Sequence, residues 1–256
     1  MQITAATFIM VCPLVFLAGL VDSIAGGGGL ISLPAYLFAG IPIHNTVGTN
    51  KFSSSCGAVV AVFRFARRGL IRWRIAAPAV VTGMLGSGIG AHLSLLLNEK
   101  ILLWMLLGVL PLVALAVFNK HLLTDSTPKT DVFTLRQYAG VTISSFLVGI
   151  YDGMYGPGTG TFLIILLTAA AGLPIAEANA LAKTINMVTN LTAMVIFLLN
   201  GQVLLLLGIT AALFNMAGQY VGSGMVMTKG SRVIRPIMLT VLLLLFVKIL
   251  TELLGG

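Results

Sequence analysis

The chain has 256 residues, of which 58% are hydrophobic and only 9% charged, with a net charge of +8 and a mean hydropathy of +1.05. Soluble domains carry roughly 25% charged residues, so a soluble fold is excluded, and the positive balance reads as membrane orientation rather than nucleic-acid binding. Stretches free of Asp, Glu, Lys and Arg cover 75–98, 153–176 and 184–228, where one span needs about 20 apolar residues; the last is long enough for two.

Ten hydrophobic segments are expected. The first, 3–24, starts without the basic residues of a secretory signal, holds Asp22 near its end and runs into four glycines, so it reads as a retained helix. The second, 29–41, follows Gly26-Gly27-Gly28-Gly29; at about 1.5 Å per residue it reaches roughly 20 Å, short of a hydrocarbon thickness of about 30 Å. The third, 46–65, carries Asn50, Lys51, Ser53, Ser54 and Ser55, and a basic cluster of Arg64, Arg67, Arg68, Arg72 and Arg74 leads into the fourth, 75–97. Gly86 and Gly90 there have the small-xxx-small spacing of a helix-packing face. A fifth segment, 101–118, precedes the one long polar loop.

The second half repeats this plan over 137–155, 160–172, 178–199, 203–227 and 234–254. Gly28 recurs as Gly160, Gly40-Ile41-Pro42 as Gly172-Leu173-Pro174, Lys51 as Lys183, and Gly86 and Gly90 as Gly218 and Gly222, all at an offset of 132. Asp22 matches Asp152 at an offset of 130. Five is odd, so the second repeat must enter the membrane inverted, and the charges agree. The basic loop 64–74 corresponds to uncharged Asn200-Gly201-Gln202, while Asn98-Glu99-Lys100 corresponds to the basic stretch Lys229 to Arg235. By the positive-inside rule, the loop at 64–74, the central loop and 229–235 are expected to be cytoplasmic and both termini external. The fold expected is an all-α membrane protein of two inverted-topology repeats, 1–120 and 137–256, joined by a cytoplasmic linker at 121–136. Each repeat has about five hydrophobic helical segments, with short glycine-broken helices near the midplane. Such pairs of interrupted segments point to the binding site of a secondary transporter.

The chemistry sits at these breaks. A glycine-rich break inside a membrane must line a polar cavity or pack within protein. If it does the former, the helix starts after Gly28-Gly29 and Gly160 aim partial positive charge at a shared anion site. Lys51 and Lys183 are candidate anion ligands, with Asn50, Asn186 and Asn190 as hydrogen-bond donors; Asn186 and Asn190, four apart, share a helix face. Lysines can also snorkel to headgroups or pair with Asp22 and Asp152, and buried amides often only join helices. Asp22 and Asp152 can relay protons, pair with the lysines or cap the next helix.

Cys12 and Cys56 are solitary, and His44 and His92 lack partners at metal-ligand spacing, so no disulfide, metal or cofactor is expected. Gly156-Pro157-Gly158-Thr159-Gly160 lacks the Lys-Ser/Thr ending of a phosphate loop, and neither His-Glu-x-x-His nor Gly-x-Ser-x-Gly occurs, so no enzyme is expected. The partners expected are a small anion, membrane lipid, protons if the carboxylates couple, and further copies of the chain, with no nucleic acid.

Three stretches are familiar in their order: Val21-Asp22-Ser23-Ile24-Ala25-Gly26-Gly27-Gly28-Gly29-Leu30-Ile31-Ser32-Leu33-Pro34, Gly48-Thr49-Asn50-Lys51, and Tyr151-Asp152-Gly153-Met154-Tyr155-Gly156-Pro157-Gly158-Thr159-Gly160. Together they resemble the TauE/SafE family of sulfite and organosulfonate exporters, over nearly the whole chain. The resemblance implies a multi-pass carrier in a bacterial inner membrane for sulfite, sulfoacetate or other sulfonates, with functional roles at Asp22, Asn50, Lys51, Asp152, Lys183 and Asn186. A channel of the same architecture, and more distantly a membrane-embedded enzyme or accessory subunit, are the competing readings.

Overall fold

The computed structural model describes residues 4–97 and 133–230, together with 232–234, 236, 237, 239, 240 and 243. The expected segment 101–118, the loop 98–100, most of 234–254 and residues 121–132 of the linker lie outside the described residues. Among the described residues eight helices are bounded at both ends: α1 (Ala5–Ala25), α2 (Gly29–Phe38), α3 (Ile43–Arg67), α4 (Trp73–Leu96), α5 (Leu135–Met154), α6 (Thr159–Ala171), α7 (Ile175–Leu199) and α8 (Leu205–Lys229). The described residues hold no strand.

Local chemistry sets these boundaries. Thr134 caps α5: its hydroxyl accepts from the Gln137 N–H at 3.3 Å, while the Gln137 side chain accepts from the Thr134 N–H at 2.8 Å, so two orphan donors are satisfied reciprocally. The chain leaves α2 and α6 through Gly40 and Gly172, at φ 77° and 64°, a left-handed backbone that glycine adopts without steric cost. Two residues later Pro42 and Pro174, both at φ −55°, preset the first turn of α3 and α7. The repeated Gly-x-Pro is thus a helix stop followed by a helix start. It ends α2 three residues short of the expected 29–41.

Helices α1, α4, α7 and α8 are long and apolar enough to cross a membrane. At 10 and 13 residues, α2 and α6 reach about 15 and 20 Å. Helix α3 has the length, 25 residues, but spends its interior face on Thr46, Thr49, Asn50, Lys51, Ser53 and Ser55, all buried. A helix surrounded by protein can carry such a face, because its polar groups find partners there. On the outside, Ile9, Leu17, Leu85, Ile143, Leu206 and Leu213 are exposed, an apolar surface suited to lipid.

The halves interlock. Helix α1 packs on α8 and α4 on α5; α3 packs on α8 and α4 on α7; α3 and α7 pack on each other. Each contact has its counterpart with the halves exchanged. Glycine makes the closest crossings: a Cβ on Gly218 would lie 2.1 Å from the Phe16 carbonyl oxygen, and one on Gly86 2.2 Å from that of Phe146. The start of α3 meets the loop before α8, where Thr49 Oγ1 accepts from the Leu204 N–H at 3.0 Å. The loop before α4 meets the start of α7, where Arg72 grips Glu177 with Nε and, at 3.2 Å, with Nη2. Helices α3 and α7 therefore run antiparallel, and the equivalent loops 68–72 and 200–204 lie at opposite ends of the pair.

Candidate functional site

Lys51 is the ninth residue of α3 and Lys183 the ninth of α7, roughly 12 Å into their helices. Each is only 1% exposed, so neither snorkels. Lys51 Nζ lies 2.9 Å from Asp152 Oδ1, and Lys183 Nζ lies 2.6 Å from Asp22 Oδ2. Both ion pairs cross between the halves. The antiparallel packing of α3 on α7 brings each lysine to the last turn of the other half's first helix, where the carboxylates sit.

Each carboxylate is held by three donors. Asp152 accepts from Lys51, from Asn186 Nδ2 at 3.4 Å and from the Thr189 hydroxyl. Asp22 accepts from Lys183, from Gln219 Nε2 at 2.7 Å and from the Gly28 N–H at 3.4 Å. Charged hydrogen-bonding groups so placed satisfy one another in a low-dielectric setting that would otherwise make each costly. Asp22 therefore pairs with a lysine and also accepts from the Gly28 N–H at the start of α2, so that helix end is already supplied with a negative charge. The two sites differ in exposure: the Asp22 side chain is 13% exposed and that of Asp152 2%.

A polar void of about 20 Å³, lined by Asp22, Lys51, Asp152, Asn50, Asn186 and Asn190 among others, lies against both pairs. It has space for roughly one water molecule. Asn50 is buried beside it, and its side-chain oxygen has no hydrogen-bond partner. Asn190 lines it as well while donating to the Asn186 carbonyl at 2.8 Å. Gly29 completes the wall from α2, and Ser54 faces it from α3.

Three of the expected residues lie elsewhere. Lys183 does not line the void, although its partner does. Gly28 caps α2, where a Cβ would meet the Asp22 Cβ at 2.5 Å. Gly160 packs backbone to backbone on Gly26, with its missing Cβ 2.4 Å from the Gly26 Cα. That crossing brings the two glycine breaks together, and at this point the glycine serves close packing. Gly156, at φ 86°, borders the ion pair directly: a Cβ there would lie 2.4 Å from Asp152 Oδ1 and 2.9 Å from Lys51 Nζ. Among the described residues no three His, Cys, Asp or Glu side chains converge on a metal-sized site, so the donors offered here are ammonium, amide and hydroxyl groups.

Sequence reasoning did not single out Gln219. It is fully buried on α8, one residue after Gly218, and the signal was available as an amide in the middle of a 45-residue stretch without charge, 184–228. Its equivalent on α4 is Ser87, which donates to the Thr189 carbonyl at 2.6 Å and so supports the residue that holds Asp152.

The sulfite exporter TauE/SafE family model matches residues 11–249. A "Probable membrane transporter protein ORF9" of Sinorhizobium sp is 35% identical over 243 residues, which is 93% of this chain and 90% of that protein. A "Probable membrane transporter protein" of Haemophilus influenzae is 36% identical over 223 residues, 86% of each chain. YfcA of Escherichia coli K12, also named a probable membrane transporter protein, is 31% identical over 239 residues, 92% of this chain and 87% of its own. No solved structure matches this chain at a significant level.

Proposed function

The chain belongs to the sulfite exporter TauE/SafE family, and from that premise we propose that it is a secondary transporter of small sulfur-containing anions across a bacterial inner membrane. The substrates proposed are sulfite, sulfoacetate or another organosulfonate. The observation that carries this reading is the crossing of the ion pairs: each lysine is held by an aspartate of the other half, so the charged groups that would bind an anion are also those that join the two halves.

The cluster is electrically balanced, two ammonium groups against two carboxylates. An entering anion competes with an aspartate for its lysine. Leaving two anions on one ammonium in a buried site is costly, so the displaced carboxylate takes up a proton and the pair of charges moves as a neutral unit. Breaking one crossed pair also loosens the tie between the halves. The void has space for about one water, so substrate entry requires the halves to part, and alternating access follows from their rocking about α3 and α7. The equivalent loops at opposite ends of that pair, and the swap of basic clusters between them, support inverted repeats.

The test is labelled sulfite uptake into proteoliposomes preloaded with sulfite, with and without an imposed pH gradient. Saturable countertransport that responds to the gradient is expected, with the response lost in Asp22→Asn or Asp152→Asn. Flux that neither saturates nor shows countertransport would replace the carrier by a channel. A wild-type flux indifferent to the gradient would remove proton coupling.

A further inference from the structure

Outside the ion-pair site, a groove of about 520 Å³ runs along the surface between α3 and α8. Its floor is apolar: Val59 and Phe63 are exposed, 47% and 55%, and Val60 and Met227 complete it. One end is strongly basic, with Arg64, Arg67 and Arg68 from the last turn of α3 and its cap. Arg64 is anchored across the groove, donating to the Tyr220 carbonyl and to Ser223 Oγ at 3.1 Å and lying 3.9 Å above the Tyr220 ring. Arg67 lies 4.4 Å from the Phe63 ring centre. Among the described residues no carboxylate pairs with any of the three.

The other half supplies the comparison. A groove of about 580 Å³ also lies between α7 and α4, lined mainly from α4 by Leu85, Ile89, His92 and Leu93, with Thr192 and Gly88 at the positions equivalent to Val60 and Tyr220. At the offset of 132 the three arginines correspond to Ile196, Leu199 and Asn200. The two halves thus each carry a largely apolar groove of similar size, and only the α3/α8 groove is lined by arginines. Apolar packing of α3 on α8 does not require that charge, and among the described residues no carboxylate neutralises it.

We propose that the α3/α8 groove binds an anionic glycerophospholipid. An acyl chain lies along Val59, Val60, Phe63 and Met227, and the headgroup phosphate sits at Arg67 and Arg68, with Arg64 fixing the rim. The complementarity is specific in both parts: the lipid-facing floor matches hydrocarbon, and guanidinium groups match phosphate oxygens in fork geometry. Basic pockets between membrane helices recognise anionic headgroups by this combination.

Native mass spectrometry of the detergent-purified protein, incubated with equimolar phosphatidylglycerol and phosphatidylcholine, tests it. Retention of phosphatidylglycerol is expected to exceed that of phosphatidylcholine. The preference should fall about five-fold in Arg67→Gln or Arg68→Gln and about 25-fold in the double variant. Both residues are exposed, so the variants should fold. Arg74→Gln removes a basic residue outside this groove and should leave the preference unchanged. Equal retention of the two lipids, or an equal loss in Arg74→Gln, would overturn the proposal. Glycerol phosphate retained as tightly as the lipid would also overturn it, by showing a site for free phosphate alone.

Discussion

Lys51 and Asp152 show how a buried ion pair behaves when one partner is removed. Their side chains are each 2% exposed, so Lys51→Ala leaves a buried carboxylate with only Asn186 and Thr189 to hold it. The expected loss is about 3–5 kcal/mol of stability. Replacing both partners, Lys51→Met with Asp152→Leu, removes the uncompensated charge and should recover most of it, although transport stays lost. The double-mutant cycle is read by thermal unfolding in detergent; equal unfolding of Lys51→Ala and wild type would contradict the pairing. Lys183→Ala should cost less than Lys51→Ala, because the Asp22 side chain is 13% exposed and keeps Gln219 and the Gly28 N–H. Loss of anion binding in a lysine variant is therefore informative only when folding is measured beside it.

Helix crossings depend on where glycine sits, and α4 contains its own control. A Cβ on Gly86 would lie 2.2 Å from the Phe146 carbonyl oxygen, whereas one on Gly88 would find nothing closer than Thr192 Cγ2 at 3.8 Å. Gly86→Ala forces α4 and α5 apart and should cost at least about 1–3 kcal/mol, in the range of overpacked cores. Gly88→Ala should be neutral or stabilise by up to about 1 kcal/mol, from helix propensity. Gly218→Ala should behave as Gly86→Ala does, since it meets the Phe16 carbonyl in the equivalent crossing of α8 on α1. Thermal unfolding of the three variants checks this; equal melting of Gly86→Ala and Gly88→Ala would refute the close crossing.

At the scale of the whole molecule, the expected orientation is inverted repeats with the Arg64–Arg74 cluster on the cytoplasmic side. Cysteine at Arg67 or at Arg232 should be protected from a membrane-impermeant thiol reagent in intact cells, and cysteine at Gln202 should be labelled, in a background where Cys12 and Cys56 are replaced by serine. Labelling at 232 with protection at 202 would refute the inversion. The structure adds a reason to expect it, because Gln202 lies at the start of α3 and Arg72 at the start of the antiparallel α7.

Much of this was legible in the sequence. The cost of placing charge in hydrocarbon keeps Asp, Glu, Lys and Arg out of spans, so composition alone identified a membrane protein and made Lys51, Lys183, Asp22 and Asp152 conspicuous. Duplication made the glycine breaks and the matching segments visible twice, but the expected segments 29–41 and 46–65 did not use Gly40-Ile41-Pro42, whose local stereochemistry ends α2 at Phe38 and starts α3 at Ile43. Pairing was not local. Whether the aspartates served lysines, a helix cap or the void depended on contacts between residues 101 and 161 positions apart, and only the packing of α3 on α7 decided that each pair crosses between the halves. The crossing of the two glycine breaks placed Gly160 on Gly26 rather than at the void, and the packing of α8 on α1 brought Gln219 to Asp22. Hydropathy reports the cost of burying each residue, whereas the partner that offsets that cost is set by how distant helices fit together.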